Sequence, residues 1–226
     1  MPSCVFKNKT TLSNPIKIHP SAVVDEGAVI GDGTAIWHFS HVCAGAVIGN
    51  SCSLGQNVLV AENVSLGNNV KVQNNVAIYG GITVEDDVFL GPSCVLTNVT
   101  NPRSQVSRKS LYEKTLIKRG ATIGANATVV CGITLGRYCF IGAGAVVTKD
   151  IPDYGLVLGN PGKLSGYMSR HGHKLTFIKS VRATCPESKF VYEKIENHVR
   201  CLDLGEDDPL PSELAFGSKN YDSFKK

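Results

Sequence analysis

The chain has 226 residues, 42% of them hydrophobic and 19% charged, with a formal net charge of +4. That composition excludes an intrinsically disordered chain, and no apolar run is long enough to span a bilayer. The mild positive charge suits phosphorylated small molecules and is too scattered to point to nucleic acid.

The N-terminal residues Met1-Pro2-Ser3-Cys4-Val5 lack the basic and then apolar layout of a signal peptide. The expectation is a cytoplasmic protein without membrane association. Eight cysteines would suggest a disulfide framework in a small secreted domain. Here most stand where Ala, Val or Ile otherwise recur, so they are read as reduced, buried thiols.

From Ile18 onwards every sixth residue is a branched aliphatic: Val24, Ile30, Ile36, Val42, Ile48, Leu54, Val60, Leu66, Val72, Ile78, Val84, Leu90 and Leu96. The rhythm returns at Ile117, Ile123, Val129, Leu135, Ile141 and Val147. A period of six fits neither a helix nor an alternating strand. It fits a short strand, a corner and a repeat, three sides closing one triangular coil whose aliphatics stack along the axis.

Two further slots keep the same register. Two residues before each aliphatic the chain carries small or β-branched residues such as Ala22, Thr34, Ser40, Cys52 and Val64. Three residues after it come Gly27, Gly33, Gly45, Asn57, Asn63, Asn69, Asn75, Gly81, Asp87, Gly120, Asn126, Gly132 and Gly144. Gly, Asn and Asp tolerate positive φ, so the backbone is expected to turn there.

The fold class is therefore all-β, a parallel β-helix over residues 1–152 interrupted by an inserted loop at about 101–115. Long loops leaving a regular scaffold often carry function. Residues 153–174 are expected to form a turn and a short helix over 164–173. In the 175–226 extension, 189–195 and 198–204 read as a hairpin around Glu196-Asn197. The acidic tail beyond Leu204 is expected to be loosely ordered, and removal of everything after His173 to leave activity intact.

The repeat resembles that of the left-handed β-helix acyltransferases, and the resemblance supplies the handedness. Within that superfamily the chain is similar to bacterial nucleotide-sugar N-acetyltransferases. The segments that carry this are Ile36-Trp37-His38-Phe39-Ser40-His41-Val42, Lys71-Val72-Gln73-Asn74-Asn75-Val76 and Thr97-Asn98-Val99. They continue with Asn101-Pro102-Arg103-Ser104, Gly142-Ala143-Gly144-Ala145 and Gly166-Tyr167-Met168-Ser169-Arg170-His171-Gly172. The resemblance implies acetyl transfer from acetyl-CoA to a UDP-2-acetamido-3-amino-2,3-dideoxyglucuronate, in O-antigen precursor synthesis. It also implies a homotrimer with active sites between neighbouring β-helices.

It assigns Asn98 to the sugar amine, where an amide oxygen orients the nucleophile. His38 is a candidate base, and His41 a candidate partner of the nucleotide sugar. On an 18-residue coil His38, Gln56 and Asn74 share one edge, so Gln56, Gln73 and Asn74 are candidate hydrogen-bonding groups for the sugar nucleotide. Asn101 and Arg103, on the insertion, are candidates for its carboxylate or diphosphate.

For acetyl-CoA the resemblance implies Gly142 and Ala143 against the pantetheine arm. Lys149, Lys163 and Arg119 would meet its phosphates, and Asn160 lies in the terminal Gly159-Asn160-Pro161-Gly162-Lys163 turn. No metal is expected, because a zinc enzyme of this fold needs three converging histidines. The alternatives are a dTDP-3-amino-6-deoxyhexose acceptor, a sugar hydroxyl acceptor, or a non-catalytic scaffold.

Overall fold

The computed structural model describes residues 15–178 and 180–224. Residues 1–14, which include the N-terminal segment discussed above, lie outside the described part.

Two-residue strands succeed one another on three faces of a prism. The first face runs Lys17–Ile18, Ala35–Ile36, Ser53–Leu54, Lys71–Val72, Phe89–Leu90, Thr122–Ile123, Phe140–Ile141 and Gly155–Leu158. The second begins at Val23–Val24 and His41–Val42 and ends at Val95–Leu96, Thr128–Val129 and Val146–Val147. The third runs from Val29–Ile30 through Ile82–Val84 and Thr115–Ile117 to Thr134–Leu135. Strands pair in parallel with the equivalent one coil away, as Ile36 with Leu54 and Val42 with Val60. In the two-residue strands from Ala35–Ile36 onwards the second residue is buried, and in Ile82–Val84 and Thr115–Ile117 the first and third are.

Ile36, Leu54, Val60, Leu66, Ile78, Leu90, Ile123 and Ile141 are buried in one continuous core. Full burial of such a side chain contributes about 1.5–3 kcal/mol, so the column is the main source of stability. Thr34 and Ser40, in the inner slot, are buried too and donate their hydroxyls to the carbonyls of Gly49 and Gly55.

All thirteen Gly, Asn and Asp residues of the expected turn slot have positive φ. Phe39, Ser51, Ser93 and Tyr138 occupy the same slot with φ between 54° and 59°. There the repeat imposes the turn on residues that do not favour it.

The insertion leaves the second face after Val95–Leu96 and rejoins the third at Thr115–Ile117, which pairs with Ile82–Val84. Beyond the coil, the helix expected over 164–173 is absent. Lys163–Met168 is a strand pairing antiparallel with Gly155–Leu158 and then with Lys174–Leu175. Its exposed first half pairs with the Gly155–Leu158 strand and its second half buries Tyr167 and Met168, so the pairing partner and not a local periodicity makes it a strand.

Val191–Ile195 and His198–Cys201 form the hairpin around Glu196-Asn197, with Arg182–Thr184 alongside. Its apolar side joins Tyr154, Tyr167 and Leu175 in a second core with Ala183, Cys185, Tyr192, Val199 and Cys201. The seven described cysteines are free and all but Cys43 are buried. Among the described residues no helix is long and apolar enough to cross a membrane.

The start of the tail is not loose. Tyr138 and Tyr154 donate their hydroxyls to the Glu206 carbonyl and carboxylate. Arg170, whose side chain is only 3% exposed, donates to the carbonyls of Gly205 and Asp208 and stacks over the Tyr138 ring at 4.3 Å. Charge contributes: Arg137 and Arg170 pair with the Asp207 and Glu206 carboxylates, and Arg119, already paired with Asp87, donates to the Asp207 carbonyl.

Candidate functional site

The corner between the second and third faces carries Tyr79-Gly80 on one coil and Thr97-Asn98 on the next. The Asn98 amide Nδ2 donates to the Gly80 carbonyl at 3.4 Å. With the nitrogen so engaged, Oδ1 is the end available to a ligand, and it accepts hydrogen bonds only. The returning end of the insertion covers this corner. A side chain at Gly80 would meet the Tyr112 ring, since a Cβ there stands 3.4 Å from its Cδ2.

Between coil and insertion lies a groove of about 850 Å³. Its walls include Asn98, Arg103, Tyr79 and Tyr112, and Arg108 and Lys109 add two further cations. The structure thus brings Asn98 and Arg103 together. Asn101 lines a neighbouring hollow instead, and its carbonyl accepts from Arg108 Nε at 3.0 Å. Tyr79, Tyr112, Arg108 and Lys109 were not singled out from sequence. Sequence alone does not single them out, because loop closure sets which residues face the coil.

The insertion is clasped at its base. The Glu113 amide donates to the Asn98 carbonyl at 2.9 Å, and the Glu113 carboxylate accepts from the Thr100 amide at 3.0 Å. Hydrogen bonds from Thr100 hold the Glu113 carboxyl below the usual carboxylate range.

The remaining acceptor-site candidates lie on another corner, between the first and second faces. His38 stacks against His19 with ring centroids 3.4 Å apart, and its Nδ1 is buried without a hydrogen-bond partner. Asn74 Oδ1 accepts from the Gln56 amide at 2.9 Å, and Asn57 Nδ2 donates to Asn75 Oδ1. These amides cap the neighbouring coil, so Asn74 has a structural task. Gln73 precedes it on the same corner. His41 projects from the second face, its Nε2 3.1 Å from Asp25 Oδ1. Within one chain none of these residues reaches the Asn98 groove.

The acetyl-CoA candidates separate similarly. Gly142 and exposed Ala143 follow the Phe140–Ile141 strand, and the next stretch of chain covers Gly142, whose amide donates to the Val157 carbonyl. Asn160 stands in a turn docked on the second face through Val146 N–H to Gly159 O and Gly162 N–H to Val146 O. A Cβ at Gly162 would lie 2.8 Å from the Val146 carbonyl oxygen, which accounts for glycine there. Exposed Lys163 opens the return strand. Lys149 stands on the Asn98 corner, further along the coil.

Arg119 is on the third corner and is committed elsewhere. Nε and Nη2 donate to Asp87 Oδ2 at 3.0 and 2.9 Å, and Nη1 donates to the Asp207 carbonyl. These contacts give Arg119 a structural role that competes with the CoA-phosphate role expected for it.

The family profile described as bacterial transferase hexapeptide (six repeats) matches residues 27–62, 63–98 and 114–149, and so skips the insertion. The chain is 44% identical over 168 residues to the dTDP-3-amino-3,6-dideoxy-alpha-D-galactopyranose 3-N-acetyltransferase of Aneurinibacillus thermoaerophilus. That match covers 74% of this chain and 86% of the relative. A galactoside O-acetyltransferase of Lactococcus lactis is 36% identical over 35% of this chain and 40% of its own length. Among solved structures, PerB from Caulobacter crescentus in complex with CoA and GDP-perosamine is 27% identical with a TM-score of 0.43. It is matched over 68% of this chain and 58% of its own, less than two thirds of its length. Identity of this extent to a complete relative leaves one conclusion: the chain belongs to the hexapeptide-repeat acetyltransferases.

Proposed function

We propose that the protein transfers the acetyl group of acetyl-CoA to the 3-amino group of a nucleotide-linked 3-amino sugar, bound in the Asn98 groove. The observation that carries this reading is Asn98 in the groove lining, its Nδ2 donating to the Gly80 carbonyl and its Oδ1 taking no hydrogen bond from the described residues. An acceptor-only oxygen suits an amine: it takes one N–H and aims the lone pair at the thioester carbonyl. The C–N bond forms as the C–S bond breaks, and the surplus ammonium proton passes to the departing CoA thiolate. Backbone amides of the coil would stabilise the intermediate oxyanion.

Arg103, Arg108 and Lys109 along the groove suit an anionic acceptor. Two acceptors satisfy these demands. The similarity to the Aneurinibacillus thermoaerophilus enzyme favours a dTDP-3-amino-3,6-dideoxyhexose. The number of groove cations favours a UDP-2-acetamido-3-aminouronate, whose carboxylate adds a charge to the diphosphate.

The acetyl donor belongs with Gly142, Ala143, Asn160 and Lys163, one corner away from Asn98. Two half-sites on different corners of a prism are completed by a neighbouring copy, which supports the homotrimer. The outward residues Val23 and Val95 on the second face and Val29 and Val47 on the third are exposed and apolar, as packing faces require. In such an assembly a His38 serving the reaction comes from the neighbouring copy.

The test is release of CoA thiol from acetyl-CoA with a panel of UDP- and dTDP-linked 3-amino sugars, for wild type and Asn98→Ala. Turnover with one member, falling about 10- to 100-fold in the variant at unchanged folding, supports the reading. Silence across the panel, or an unaffected variant, overturns it.

A further inference from the structure

On the early coils of the second face, away from the acetyl-transfer groove, three chemically unlike side chains converge. Asp25 ends one pass of this face, and Cys43 holds the same position one coil later. His41 lies two residues before Cys43, in register with Val23. Their donor atoms, a carboxylate oxygen, an imidazole nitrogen and a thiol sulfur, lie within 4.8 Å of one another. His41 Nε2 is 3.1 Å from Asp25 Oδ1 and 3.9 Å from Cys43 Sγ. We propose that Asp25, His41 and Cys43 form a binding site for a divalent transition-metal cation of the zinc class.

The spacing is the first argument. Tetrahedral zinc, with bonds of about 2.0–2.1 Å to nitrogen and oxygen and 2.3 Å to sulfur, sets its donors about 3.4 Å (N to O) and 3.6 Å (N to S) apart. The two separations from His41 Nε2, 3.1 and 3.9 Å, lie close to those values, and the third pair of donors lies within 4.8 Å.

Donor chemistry is the second. An ion pair between His41 and Asp25 explains those two residues but assigns no part to Cys43. A thiolate, an imidazole and a carboxylate together select zinc or cobalt over magnesium or calcium, which take oxygen. Three protein donors leave a fourth position to water.

The backbone is the third. The Asp25 amide donates to the Val42 carbonyl and the Cys43 amide to the Val60 carbonyl, so consecutive coils fix the positions from which the donors project. Binding exchanges the thiol proton for the metal–sulfur bond and releases the proton to solvent. The bound ion would clip two coils of the solenoid together, a stabilising role independent of acetyl transfer.

The test is titration of the full-length, chelator-stripped protein with Co2+ in a non-thiol reductant. The expected result is a near-ultraviolet thiolate-to-cobalt charge-transfer band saturating at one ion per chain and displaced by Zn2+. Cys43→Ser should abolish the band, while His41→Ala and Asp25→Asn weaken binding at least 10-fold. Cys185→Ser should leave it unchanged. Zn2+ should raise the melting temperature of wild type and not of Cys43→Ser. Absence of the band at millimolar Co2+, or its persistence in Cys43→Ser, overturns the proposal. Neither readout uses acetyl transfer, so the site stands or falls apart from the proposed reaction.

Discussion

Glu113 and Asn98 are joined by a 2.9 Å backbone hydrogen bond that closes the whole inserted excursion onto the coil carrying the candidate amine-orienting residue. The Glu113 carboxylate tightens the same closure by accepting the Thr100 amide. Folding lowers the Glu113 pKa, so this contribution is fully present above the unfolded-state value and is lost as pH falls through the depressed folded value. The Thr100 amide resonance should therefore titrate with a midpoint below that of free glutamate. Glu113→Gln should raise the acceptor KM several-fold with little change in melting temperature. A Thr100 resonance that ignores pH in the acid range would show that the clasp does not form in solution.

Arg119 tests which of two roles a conspicuous arginine has. Its guanidinium spans Asp87 and the tail carbonyl of Asp207. Arg119→Met should therefore leave the KM for acetyl-CoA within about twofold while costing about 1–2 kcal/mol of stability, read by denaturant melts. A large rise in that KM at unchanged stability would restore the phosphate-binding role expected from sequence.

Phe39 carries backbone strain at the surface. It holds φ at 59° with its side chain 71% exposed, in a slot where the next two coils place Asn57 and Asn75. Phe39→Asn should stabilise the protein by about 0.5–1 kcal/mol, because asparagine enters the left-handed region more readily. At this chain length that is about 1–4 °C in melting temperature. A lower melting temperature would mean that the ring's contact with His38 outweighs the strain.

The coil is legible in sequence because one register repeats three signals: an aliphatic, a small inner residue and a turn former. Phe39 and Tyr138 show the redundancy, since they turn without turn-forming chemistry. Asn98 and Arg103, named from the family resemblance of the motifs flanking the insertion, line one groove. Tyr79 and Tyr112 were not named from it, since their proximity depends on how the loop closes. The misread helix at 164–173 and the docked tail share one cause. Each depends on a partner distant in sequence, the Gly155–Leu158 edge for the one and the arginines at 119, 137 and 170 for the other.

The extension after His173 is expected to be essential to folding, in contrast to what its departure from the repeat suggests. Tyr154 and Tyr167 are buried at the end of the solenoid, and their cover comes from Ala183, Cys185, Tyr192 and Val199. Removal of that layer returns Tyr154 and Tyr167 to water at about 1.5–3 kcal/mol each, a large share of the stability of a typical domain. It also strips Arg170 of its partners at Gly205, Glu206 and Asp208. A chain ending at His173 should be insoluble or melt well below the full-length protein, whereas one ending at Asp208 should melt within a few degrees of it. Equal melting temperatures for the full-length protein and the His173 truncation would show that the second core is an independent appendage. Thermal denaturation and gel filtration of the three lengths decide between these outcomes without a substrate.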